Sequence, residues 1–72
     1  MMSIRYLEKT ITALHHYFEH CAQNVEAARR NGNEREAKDW EEVRLTYKEM
    51  IQSYTTCLNQ QKNQLNDSSG NN

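Results

Sequence analysis

Ile4, Leu7, Ile11, Leu14, Phe18, Cys21, Val25 and Ala28 follow one another at alternating intervals of three and four residues. That interval returns a side chain to the same stripe of a helix, so the run writes one apolar, coiled-coil-like seam along a single helix. Ser3 stands just before it as an N-cap, with a hydroxyl that can accept from the first turn. The seam ends at Arg29 and Arg30, whose charges suit a helix C-terminus. Asn31-Gly32-Asn33 then supplies the residues that close a helix and reverse the chain. Asn33 with Glu36 three residues on has the form of a capping box, which starts a second helix. The pattern predicts a helix over about 4–30, a turn at 31–33 and a helix over about 34–62.

The second helix carries a broader apolar stripe. Trp40, Tyr47 and Tyr54 make one row, Val43, Met50 and Cys57 a second, and Ile51 and Leu58 a third, which Arg44 interrupts. The first helix, with its narrow seam, can cover only part of such a stripe. The expected architecture is therefore all-α: an antiparallel two-helix hairpin that dimerises into a four-helix bundle. With a tight turn, facing positions have numbers that sum to 64 or 65, which places Val25 near Trp40, Phe18 near Tyr47, Ile11 near Tyr54 and Leu7 near Leu58. Apolar meets apolar at each of these levels. Trp40 is expected against the first helix and Ile51 toward a second copy or a foreign partner. Residues 63–72, rich in Asn, Gln and Ser, bury little and are expected to form a flexible polar tail.

Composition narrows the range of functions. A chain of 72 residues with 36% apolar residues has a thin core, worth ~3 to 5 kcal/mol at this size, and gains from a partner. Nine Lys and Arg against ten Asp and Glu give a formal charge of -1, which argues against nucleic acid or an anionic membrane as the partner. No apolar run exceeds two residues, so neither a membrane span nor a signal peptide is expected, and a cytoplasmic location follows. Cys21 and Cys57 sit in apolar helical positions and read as reduced, buried thiols without ligand spacing.

Candidate chemistry is sparse. His16-Tyr17-Phe18-Glu19-His20 resembles the H-x-x-E-H pattern of inverted zinc peptidases, and that resemblance would make His16 and His20 metal ligands. The heptad frame instead puts both on the outer face, where no third ligand converges, and they read as solvated surface histidines. No cofactor is expected. Arg29, Arg30, Arg35 and Lys38 gather at the hairpin tip, but Glu26, Glu34, Glu36 and Asp39 are interleaved with them, which makes a salt-bridged surface. Small plasmid-regulatory hairpin dimers that bind RNA are similar in architecture. Trp40, Val43 and Tyr47 also resemble the opening of a tetratricopeptide repeat, whose turn and second helix do not follow.

No nucleophile stands beside a base, and no glycine-rich phosphate loop exists. The sequence therefore points to a non-enzymatic interaction, adaptor or regulatory protein. Its interface would be Trp40, Val43, Tyr47, Met50, Ile51, Tyr54 and Leu58, and its partner a second copy, an unidentified protein, or both. The competing readings are an RNA-binding hairpin dimer, and a small chaperone or inhibitor that docks on a larger protein.

Overall fold

A computed structural model describes the backbone of residues 3–70 and the side chains of residues 3–65. Two helices, α1 (Ile4–Arg30) and α2 (Glu34–Gly70), pack against each other as a hairpin. The chain is all-helical over these residues, and no helix among them is long and apolar enough to cross a membrane.

Both ends of α1 and the start of α2 are closed by the residues the pattern singles out. Ser3 Oγ accepts from the Tyr6 N–H at 3.1 Å and opens α1. At the other end Gly32 takes φ +74°, the left-handed conformation. Its N–H donates to the Arg29 carbonyl and the Asn33 N–H to the Ala28 carbonyl, which together form a Schellman motif. Asn33 then caps α2: its Oδ1 accepts from the Glu36 N–H, and its Nδ2 donates to Glu36 Oε2, both at 3.1 Å. The return bond of the capping box is made by the side-chain amide, because the backbone N–H of Asn33 is already committed to α1.

The seam of α1 is the core of the hairpin. Leu7, Leu14, Cys21, Val25 and Ala28 are buried, and Ile4, Ile11 and Phe18 are half-buried. Opposite them, α2 contributes fully buried Ala37, buried Leu58, and half-buried Trp40, Tyr47, Ile51 and Tyr54. Next to the turn, Val25, Ala28 and Ala37 form one cluster with Trp40 packed over it. Small side chains suit this level, because a three-residue turn brings the backbones close.

Three features depart from the sequence pattern. First, the ring that meets Tyr47 is Tyr17, stacked at 5.8 Å, while Phe18 lies under the Arg44 guanidinium, 4.8 Å from its ring centroid. Arg44 can occupy a seam position because its cation rests on an aromatic face and its tip stays in water. Second, Ile51 is half-buried and shares a seven-residue spacing with Leu58 and, two heptads back, with Ala37, both buried. Within the single hairpin it is therefore already partly covered. Third, α2 is continuous to Gly70, where the pattern put its end near residue 62. Polar residues without Pro or an interior Gly lose little in a helix, so absence of burial does not stop one. Asn71 and Asn72 lie outside the described residues.

Candidate interaction surface

The two broad sides of the hairpin differ in chemistry, and specific contacts fix which residues belong to each. Tyr17 stacked on Tyr47 marks the first side. Helical spacing adds Tyr6, Thr10 and Ala13 from α1 and Val43, Met50 and Tyr54 from α2. None of these residues is charged, although the same spacing adds Glu36 at the turn end, seven residues before Val43. Arg29 paired with Glu41, and Lys62 Nζ at 3.8 Å from Glu8 Oε2, mark the second side. A shallow open depression there is lined by Phe18, Glu41, Arg44, Leu45 and Lys48. The two ion pairs among the described residues both join the helices, rather than residues four apart on one helix.

Exposed apolar surface is concentrated on the uncharged side. Of the six large hydrophobic residues that are exposed among the described residues, Tyr6, Tyr17, Val43 and Met50 lie there, Leu45 lies on the ion-paired side, and Leu65 lies beyond the start of α1. Tyr17 is 52% exposed although its ring is stacked, so one ring face is held against Tyr47 and much of the rest meets water. The edge of the His16 ring approaches it, with centroids 6.3 Å apart and planes at 71°.

The residues expected to form the interface divide accordingly. Val43 and Met50 are exposed, Tyr47 and Tyr54 are half-buried, and all four share the uncharged side. Trp40 stands in the same row as Tyr47 and Tyr54 but is packed over the tip cluster, Ile51 is half-buried, and Leu58 is buried within the hairpin at 8% exposure. The sequence reading omitted Tyr6 and Tyr17 from this surface. Both fall one position before a seam residue, Leu7 and Phe18, whose periodicity dominates the pattern. A signal was present, since Tyr6, Ala13 and Tyr17 keep their own interval of seven and four.

His15, His16 and His20 are all exposed, and no group of three or more His, Cys, Asp or Glu side chains that could hold a metal ion occurs among the described residues. Cys21 is buried and Cys57 half-buried; both thiols are free, and Cys57 Sγ receives a long contact of 3.9 Å from Gln61 Nε2. Compared with family models, with curated proteins and with solved structures, the chain matches none.

Proposed function

We propose that this protein is a non-enzymatic helical interaction module, adaptor or regulator in kind, which works as a four-helix bundle made from two hairpins. The observation that carries the reading is the side marked by the stacked tyrosines, where Tyr6, Tyr17, Val43 and Met50 stay exposed along one stripe while both interhelical ion pairs among the described residues lie on the other. A small hairpin that keeps such a stripe in water forgoes stabilisation that a second helical layer would supply. The shape supports the non-enzymatic part of the reading, since two helices offer faces rather than an enclosed cleft, and the depression beside Arg44 is open to solvent.

Val43→Glu with Met50→Glu tests the reading against Leu45→Glu, which places the same charge on the ion-paired side. In sedimentation at micromolar concentration the parent and the Leu45 variant should show twice the chain mass. The Val43/Met50 variant should show the single mass with most of its helical circular dichroism retained, because a carboxylate in an apolar interface is costly to desolvate. A parent that sediments as a monomer at all concentrations would refute the bundle.

A further inference from the structure

The stripe on the uncharged side of α2 has an internal symmetry. Trp40, Val43, Tyr47, Met50 and Tyr54 stand at intervals of three, four, three and four, so that Tyr47 is the centre of the run. Turned end for end about Tyr47, the run comes close to mapping onto itself: Trp40 falls opposite Tyr54 and Tyr47 opposite Tyr47, while Val43 and Met50 come level to within one residue, ~1.5 Å of rise. The partner of Tyr47 within the chain, Tyr17, is likewise the middle residue of α1, which spans Ile4–Arg30. The stacked tyrosines thus mark the mid-length of the paired part of the hairpin.

Resting on the four-helix reading above, we infer that the occupant of this side is a second copy of the chain. It lies antiparallel, its turn at the opposite end, with the twofold axis passing at the level of the Tyr17–Tyr47 pair. In this arrangement α2 stacks on α2 of the other copy and α1 on α1. Apolar then meets apolar along α2. Along α1, Thr10 falls opposite Asn24 and Ala13 near the level of His20, so the rim carries one polar pair and one mixed level.

The alternative twofold axis, parallel to the helices, puts both turns at one end and stacks α1 on α2. It would keep Tyr47 against Tyr17 and Met50 against the level of Ala13, but set Tyr54 against Thr10, Val43 against the level of His20 and Trp40 against Asn24, leaving apolar groups opposite polar ones at three of the five levels. Isologous pairing about a perpendicular axis requires a self-complementary patch, and the α2 run is one. The size is also adequate. The paired part of the hairpin is as long as the 27 residues of α1, about 40 Å, and 17 Å across, a side on the order of 700 Å², close to the ~800 Å² each partner gives to a stable interface.

The turns report the arrangement directly. Asn31 is exposed and lies outside the uncharged side, so Asn31→Cys carries a spin label there without entering the interface. Cys57→Ser removes the half-buried thiol, and Cys21 is shielded by burial at 3% exposure. Asn31 is fourteen residues from Tyr17, so in the antiparallel dimer the two labels should lie about 40 Å apart, at ~1.5 Å of rise per residue on each side of the axis. In the parallel dimer they lie within about 20 Å, two packed helices being ~10 Å apart plus the label arms. Mass and helicity of the labelled protein are measured on the same sample. Dimeric mass with the long distance supports the inference. Dimeric mass with the short distance overturns the antiparallel arrangement and leaves the bundle standing, and a monomeric mass overturns both.

Discussion

Asn33 belongs to both helices at once: its backbone N–H finishes α1 on the Ala28 carbonyl and its side chain opens α2 at Glu36. Substitution separates the two roles. Asn33→Ala keeps the backbone bond and loses the cap, which should cost about 1 kcal/mol in urea unfolding, whereas Asn33→Asp keeps an acceptor at that position and should stay within about 0.5 kcal/mol of the parent. Gly32 differs, because a Cβ there would meet nothing within 4 Å, so any cost comes from φ +74° alone. Gly32→Ala should therefore destabilise by about 1 kcal/mol, without the larger loss that a steric clash would add. In the core, Leu7 is fully buried while Phe18 is half-buried beneath Arg44. Leu7→Ala should cost about 3 kcal/mol and Phe18→Ala nearer 2 kcal/mol despite its larger side chain, because less of the ring leaves water on folding. A Phe18 loss greater than that of Leu7 would show that the ring is more deeply covered than Arg44 makes it.

The two helices were unequally legible. The extent of α1 could be read from residues 3 to 33 because its seam is narrow and both its ends carry unambiguous caps. In α2 the apolar rows are three abreast, and periodicity alone cannot say which of them turns inward. Ala37 does not stand out in the pattern because a small residue carries little hydropathy, yet it is fully buried next to the turn. Glu41 is half-buried although charged, since Arg29 meets it across the turn. Arg44 sits at a seam level because Phe18 offers a ring to its cation. Each is a pairwise arrangement, and a pattern read on one helix at a time does not contain it. The end of α2 was misplaced for a different reason, since apolar periodicity measures burial and a helix can outrun its neighbour. Residues past Lys62 lie beyond the last ion pair to α1. Ending the chain after Leu65 should change stability by less than about 0.5 kcal/mol. Calorimetry of the shortened chain checks this, and a larger loss would mean that the final turns are covered.

At the scale of the whole molecule, stability and association should be one quantity. If two hairpins share a core, the melting temperature must rise with protein concentration, because dissociation accompanies unfolding. Melting curves over a hundredfold dilution should shift to lower temperature, and a midpoint independent of concentration would mark a hairpin that stands alone. The uncharged side is also the side that salt should leave unaffected. Raising ionic strength screens exposed pairs such as Glu8–Lys62 but weakens no apolar contact, so self-association should persist in high salt.

The interhelical pairs form a ladder in which sequence separation grows steadily from the turn outward: Ala28 and Ala37 are nine residues apart, Tyr17 and Tyr47 thirty, Glu8 and Lys62 fifty-four. Each rung closes a loop that the previous rung has already shortened, so the entropy of closure is met in small steps. The hairpin should fold as a zipper from its turn. Its transition state would hold Val25, Ala28 and Ala37 in place while Leu7 and Leu58 are still apart. In stopped-flow measurements Val25→Ala should slow folding, and Leu58→Ala should chiefly speed unfolding. The turn end of the molecule then governs how fast the protein forms, and the open end governs how long it lasts.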